Sequence, residues 1–384
     1  MDAVETIRWR GVIASIASIS VVGIAIGLAI PLLSTILENR GYSATLIGLN
    51  TAMAGIASLA AAPVATPLAV RYGVVPLLLV AIVTTALSFC AFYFATEFWM
   101  WFPLRVVLHG ALTMVFILSE FWITASAPAD RRGFVLGIYA TLLSGGFALG
   151  PWLFAVLGSG GFAPFGAGTA LVLASIVPVL AAVRHGPRLE AGERQGGVIR
   201  YSLVVPTATA AVLVFGAVET GGFALFPVYG ARIGYSEADA ALLISMIGLG
   251  NVALQLPLGI VSDRVGDRRV MLAALAAIGF AGILLLPLTD GNWPMAALLM
   301  FFWGGATGGL YVVGLAHLGA KLSGRELAAA NAAFVFCYSL GMLAGPQVIG
   351  IGMDITGPAG FAWTIALFFF VYTAFALRRI ARHT

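Results

Sequence analysis

The sequence predicts an all-α membrane protein of twelve transmembrane helices in two six-helix bundles, with both termini cytoplasmic. Three observations predict it: a lipid-facing composition, twelve apolar runs of bilayer length, and a repeat that divides the chain in two. Of 384 residues, 61% are hydrophobic and 9% charged, against about 45–50% apolar and about 25% charged in an ordinary soluble domain. Sixteen acids and twenty bases cannot coat a soluble fold of this size. The mean hydropathy of +1.03 puts most of the surface against lipid. A soluble enzyme is excluded. Apolar runs of about 20 residues, rather than short alternating segments, make the spans helices and not barrel strands. The 47 glycines suit close helix approach in a membrane.

The first run, 11–33, follows Asp2 and Glu5 as well as Arg8 and Arg10, outlasts a signal-peptide core and shows no cleavage site. It reads as an uncleaved first helix. The others are 45–69, 76–95, 99–125, 134–157, 164–183, 204–229, 238–261, 270–288, 294–318, 326–350 and 359–378, each bounded by charge or by Pro/Gly punctuation. Glu97 is the one charge at the turn between the third and fourth. The stretch 184–203, rich in Arg, Glu, Gly and Gln, separates an N-terminal bundle (1–183) from a C-terminal bundle (204–384). Seventeen of the twenty bases fall in segments on the N-terminal side of the membrane, Arg40 and Arg232 fall on the other side, and Arg105 lies within a span. That positive-inside bias makes both termini cytoplasmic. The sequence pI near 9.3 therefore reflects topology and contact with the lipid bilayer, with no nucleic acid implied. Cys90 and Cys337 sit inside apolar runs and read as small hydrophobes.

The two halves repeat. Gly41-Tyr42-Ser43 opens the second span and Gly234-Tyr235-Ser236 the eighth, 193 residues later. Arg71-Tyr72-Gly73 and Arg264-Val265-Gly266 follow those spans at the same offset. Gly146, Gly150 and Pro151 recur 195 residues on as Gly341, Gly345 and Pro346. Two halves of equal orientation are parallel repeats, an arrangement that suits alternating access.

The loop after the eighth span reads Gly259-Ile260-Val261-Ser262-Asp263-Arg264-Val265-Gly266-Asp267-Arg268-Arg269. It resembles the cytoplasmic Gly-x-x-x-Asp-Arg-x-Gly-x-Arg-Arg/Lys signature of the major facilitator superfamily. The resemblance implies the major facilitator fold and a transport function, with Gly259, Asp263, Arg264, Gly266 and Arg268 as a gating loop. Asp263 is expected to pair with a cytoplasmic arginine or to cap a neighbouring helix. The equivalent first-half loop carries Val70 where the aspartate belongs, so it cannot form that latch. Gly137, Gly146 and Gly150-Pro151 in the fifth span resemble the superfamily's exporter motif, although Leu153-Phe154 stands where a glycine pair usually follows. Read as chemistry, the same residues permit close helix packing, and their mirror at Gly341, Gly345 and Pro346 supports packing over direction. Arg105 stands in the fourth span, near where exporters of the superfamily carry an arginine linked to proton coupling. Glu120-Phe121-Trp122 with Asp130-Arg131-Arg132-Gly133 resembles a group of its small-molecule efflux members.

Ionisable groups within spans are costly and mark candidate sites. Glu219 lies near the middle of the seventh span, where a charged carboxylate carries a large desolvation cost. That suits a group that loads and unloads a proton, and it equally suits a neutral acid hydrogen-bonded between helices. Arg105 and His109 are one turn apart on the fourth span. Glu120 lies near the same face but about 22 Å further along the axis. Arg105 is read as neutralising a carboxylate or drawing in an anionic substrate, and His109 as a proton shuttle or a packing residue. Asn50, Asn251, Gln255 and Asn331 either line a cavity or hold helices together. No nucleotide-binding loop and no His/Cys ligand spacing is present, so no cofactor and no metal are expected. The reading is a monomeric, multi-pass protein of the bacterial inner membrane that exports a small amphiphilic or apolar molecule as an antiporter driven by protons. Uptake of a small polar metabolite is the alternative, and a membrane sensor built on the same fold is a third.

Overall fold

A computed structural model describes residues 9–127, 132–187, 198–289, 291–322 and 324–382. Twelve helices among them are long and apolar enough to cross a membrane. They are α1 (Trp9–Asn39), α2 (Ala44–Tyr72), α3 (Val74–Phe94), α4 (Trp101–Ser126, entered through a 3-10 turn at Phe98–Met100), α5 (Arg132–Leu157) and α6 (Ala163–Ala181). In the second half they are α7 (Pro206–Arg232), α8 (Glu237–Arg264), α9 (Arg268–Leu285), α10 (Trp293–Lys321), α11 (Gly324–Thr356) and α12 (Gly360–Ala381). Each coincides with one of the twelve apolar runs, and the helices run past the apolar cores at several ends. The Asp130-Arg131 portion of the efflux-like motif and residues 188–197 of the 184–203 linker lie outside the described residues; within that linker a short helix covers Val198–Ser202.

Backbone groups in hydrocarbon must be satisfied within the protein, and hydroxyl side chains follow the same rule. Ser15 donates to the Gly11 carbonyl (2.9 Å), Thr35 to Pro31 (2.9 Å), Thr51 to Ile47 (3.0 Å) and Thr307 to Trp303 (2.8 Å), each one turn back along its own helix. One expected span is broken. Residue Ser175 interrupts α6, because Pro178 has no N–H to give to the preceding turn. The Ser175 amide and hydroxyl both turn to the Val172 carbonyl, at 3.2 and 2.7 Å.

Polar residues start several second-half helices. Ser236 accepts from the Asp239 amide (3.1 Å) to cap α8, Asp267 from Arg269 (2.9 Å) to cap α9, and Asn292 from Met295 (3.1 Å) to cap α10. The repeat has a conformational cause: Gly41 and Gly234 both turn the chain through positive φ, 82° and 92°, a region open to glycine at little cost.

The described residues fall into two compact units. The first gathers Met1–Ala29, Ile56–Leu153 and Ser159–Glu193. Its α1 and α5 meet backbone to backbone: a Cβ on Gly146 would lie 2.8 Å from the Gly23 Cα, and one on Gly150 2.5 Å from the Gly27 carbonyl carbon. The Phe89 and Phe165 rings join α3 to α6, centroids 5.5 Å apart. The second unit gathers Ile30–Gly55, Phe154–Gly158 and Arg194–Thr384. There α7 and α11 repeat the α1–α5 contact, with Gly341 against Leu213, Gly216 and Ala217, and Gly345 against Ala217. Gly304 admits the Ile247 backbone between α8 and α10, and the Trp303 indole donates to the Gly279 carbonyl (3.0 Å) to join α10 to α9.

The second unit thus takes in the end of α1 and the start of α2, which belong to the first half of the sequence. The cause is a run of close approaches between α2 and α11. A Cβ on Gly48 would strike the Pro346 carbonyl, one on Gly55 would lie 2.6 Å from the Leu343 amide, and one on Gly350 would strike the Ala44 carbonyl. Gly137, by contrast, has open space around it and takes no part in the α1–α5 approach. Gly345→Ala is expected to cost about 1–3 kcal/mol by overpacking and to lower the melting temperature in detergent. Gly137→Ala should leave it unchanged or raise it, since alanine favours helix. Equal losses at the two positions would contradict this account of the packing.

Candidate functional site

Glu219 sits half-way along α7 and its carboxylate accepts a hydrogen bond from the Tyr338 hydroxyl of α11 at 2.6 Å. Gly216 makes this possible. A side chain there would meet the Tyr338 carbonyl and lie 3.0 Å from its ring, so glycine lets α11 come close enough for the phenol to reach across. Aromatic rings continue outward from this bond. Phe215, one turn before Glu219, has its ring 5.9 Å from that of Tyr338 and 5.6 Å from that of Tyr311 on α10. Tyr311 in turn lies 5.4 Å from Phe334. Three helices thus converge on one carboxylate and four rings. The sequence nominated Glu219. It missed Tyr338, whose only sequence signal is a hydroxyl in an otherwise apolar stretch.

The other nominated polar residues are dispersed. In the first unit, Arg105 and His109 are buried. The Arg105 guanidinium lies 5.9 Å from the Phe92 ring centroid, and Phe92 packs edge-on against Trp101. The His109 Nδ1 is 3.1 Å from the Arg105 carbonyl oxygen, and Thr113 donates to the His109 carbonyl at 2.8 Å. Glu120 shares α4 with them but is exposed, so the structure does not bring it into their surroundings. In the second unit, the Asn251 amide lies against Gly308, where a Cβ would collide with it; this is the geometry of a residue that holds α8 to α10. Gln255, one turn further, is half-buried; Asn50 is buried on α2, and Asn331 is exposed near the start of α11.

The signature loop pairs within itself. Arg268 donates to Asp263 (3.1 Å) and to the Ser262 hydroxyl (3.1 Å), while Gly259 and Gly266 border open space. Asp267 holds Arg269 at 2.7 Å, and Arg269 reaches the Arg379 carbonyl at the end of α12 (3.4 Å). The Arg269 guanidinium holds the Asp267 carboxyl below the usual carboxylate range. This cap therefore contributes at neutral pH and is lost only as acid protonates Asp267.

A second charged cluster, which the sequence reading did not assemble, stands at the other end of the second unit. Arg232, at the end of α7, bonds Glu38 of α1 at 3.0 Å and lies 3.6 Å from Asp354 of α11. Asp354 accepts from the amides of Ala44 (3.1 Å) and Thr45 (2.8 Å), the first residues of α2. A carboxylate near the end of its own helix is unfavourably placed, and here it is offset by the positive end of α2 and by an arginine.

Residues 16–252, and again 207–384, match the family model described as the Major Facilitator Superfamily. The chain belongs to this superfamily. Among curated relatives it is similar to "Uncharacterized MFS-type transporter YfkF" of Bacillus subtilis (strain 168), 27% identical over 363 residues, 91% of this chain and 90% of the relative. It is also similar to a major facilitator transporter of Yersinia pestis (strain Pestoides F), 25% identical over 295 residues, 77% of this chain and 76% of the relative. Two solved structures share the fold. A bacterial homologue of the human lysosomal transporter Spinster, inward-facing and unoccupied, gives a TM-score of 0.76 at 16% identity, over 97% of this chain and 96% of that one. A mutant of the nucleoside transporter NupG gives 0.77 at 14% identity, over 96% and 99%. This major facilitator protein is thus a transporter rather than an enzyme, multi-pass and of the bacterial inner-membrane type.

The Asp354 cluster yields a measurement. Asp354→Ala removes the carboxylate that accepts from two backbone amides and pairs with Arg232. In a background lacking Cys90 and Cys337, maleimide labelling of Thr51→Cys, a buried position on α2, should then rise about tenfold, or ~1.4 kcal/mol. Unchanged labelling would assign the closure to the Gly48 and Gly55 packing alone.

Proposed function

We propose that this secondary transporter of a small molecule, working by alternating access, exports an amphiphilic or apolar compound in exchange for protons, with Glu219 as the carboxyl that loads and unloads. The observation that carries the reading is the Glu219–Tyr338 hydrogen bond at 2.6 Å within a ring of aromatic side chains. A half-buried acid within a span, held by one neutral donor, exists in two states of similar packing, protonated and charged, and only the charged one carries the large desolvation cost. Binding of a substrate changes that cost, which is how a proton and a substrate become coupled. The aromatic surroundings favour an amphiphile over a polar metabolite, and the Asn251 amide is engaged against Gly308.

In this scheme the moving bodies are 1–183 and 204–384, joined by 184–203, in a monomer with both termini in the cytoplasm. The Asp263–Arg268 pair stiffens the cytoplasmic loop of the second half. The Arg232–Glu38–Asp354 cluster is the contact that must break for the start of α2 to leave α11. Arg105, buried with His109, biases the charge state of the first half, and Glu120 is a subsidiary proton site.

The test is flux of a panel of cationic, neutral and anionic amphiphiles in proteoliposomes with an imposed pH gradient. Gradient-driven flux is expected to fall at least about tenfold in Glu219→Gln, equivalent to ~1.4 kcal/mol, while Glu120→Gln retains most of it. Flux indifferent to the gradient in the unsubstituted protein would overturn proton coupling. Gradient-driven flux unchanged by Glu219→Gln would remove Glu219 from the mechanism.

A further inference from the structure

We infer that the Glu219 cluster is a binding site for a lipophilic organic cation, an inference that rests on the proposed transport reading and names its substrate class. Three observations carry it. The first is a local opening. Among residues 214–230 of α7, Glu219 alone is not buried. A lipid-facing stripe would return every third or fourth residue, yet Phe215, Gly222, Phe223 and Phe226 are all buried. The exposure at Glu219 is therefore a void beside that residue and not contact with lipid. Gly222 borders open space too: it lies one turn on along the same face, and a Cβ built there would meet nothing within 4 Å. Tyr311 and Tyr338 are likewise only half-buried, so their rings border open space rather than solid core.

The second observation is the charge balance. Among the described residues no arginine, lysine or histidine forms an ion pair with Glu219, whose one hydrogen bond comes from a neutral phenol. An ionised carboxylate within a span needs a counter-charge. In this site that is either a proton or a ligand's positive charge.

The third is the lining. The faces of Phe215, Tyr311 and Tyr338 carry the negative side of the ring quadrupole, which attracts a desolvated cation and repels an anion. Carboxylate and rings thus select the same ligand: one positive charge borne on an apolar body, as in a quaternary ammonium or phosphonium ion. Entry of that cation expels the carboxyl proton to water, and its departure lets a proton return. The exchange is one for one and conserves the charge of the site.

The test is equilibrium binding to the full chain in detergent, with no gradient, using radiolabelled tetraphenylphosphonium and the smaller benzyltrimethylammonium. Tetraphenylborate serves as the anion of equal shape. Saturable binding of at least one cation is expected, with affinity falling as the pH is lowered and with proton release into weakly buffered solution. Tetraphenylborate should not compete. Glu219→Gln should weaken binding at least about tenfold, and Tyr311→Leu or Phe215→Leu severalfold. Cation and borate binding alike, cation binding without proton release, or no binding of either cation would overturn the inference. None of these three outcomes depends on any variant folding. Gradient-driven flux of a neutral or anionic amphiphile with no cation binding would sink this proposal while leaving the transporter reading intact.

Discussion

The hydrogen bond from Tyr338 to Glu219 gathers into one place the constraint that governs the whole chain. Hydrocarbon supplies no water, so each polar group within a span must find its partner in the protein. Ser15, Thr35 and Thr51 meet the demand by bonding back one turn. Arg105 lies buried inside the first unit, with its guanidinium over the Phe92 ring. Glu219 has a single neutral donor and an opening beside it. That combination leaves one charge in the second half to be balanced by something that comes and goes.

Glycine sets the distances on which this depends. Gly216 brings the Tyr338 backbone onto α7, and Gly341 and Gly345, further along α11, hold the same pair of helices together. The first half repeats the contact with Gly146 and Gly150 against Gly23 and Gly27. Both halves use the motif in the same way, so it is a packing device shared by the repeats. A different set, Gly48, Gly55 and Gly350, fastens the start of α2 to α11, with Arg232, Glu38 and Asp354 closing the end. The first set joins helices within a half of the sequence; the second joins helices from different halves, which is where alternating access requires a contact that can be released.

Much of this was legible in the sequence, because lipid solvent leaves few options. Twelve apolar runs became twelve helices, and the Gly41 and Gly234 landmarks of the repeat proved to be the positive-φ residues that turn the chain. The break in α6 at Ser175 lay below that resolution, since a single proline does not say whether a helix bends or stops. Tyr338 and Asp354 were missed for a different reason. Their roles come from partners 119 and more than 300 residues away, and helical periodicity carries no information about which faces meet. For the same reason Asn251 reads from sequence equally well as cavity lining or as a helix contact, whereas in the fold its amide lies against Gly308. Arg105, His109 and Glu120 share a helix, yet only the first two share an environment.

The central claim is that Glu219 is the carboxyl whose charge changes during the cycle. Infrared difference spectroscopy across a pH titration tests it directly, since a protonated carboxyl in an apolar site has its own carbonyl stretch. The account predicts such a band in the unsubstituted protein, sensitive to Tyr338→Phe through loss of the hydrogen bond, present in Glu120→Gln and missing in Glu219→Gln. A band that persists unchanged in Glu219→Gln would contradict it.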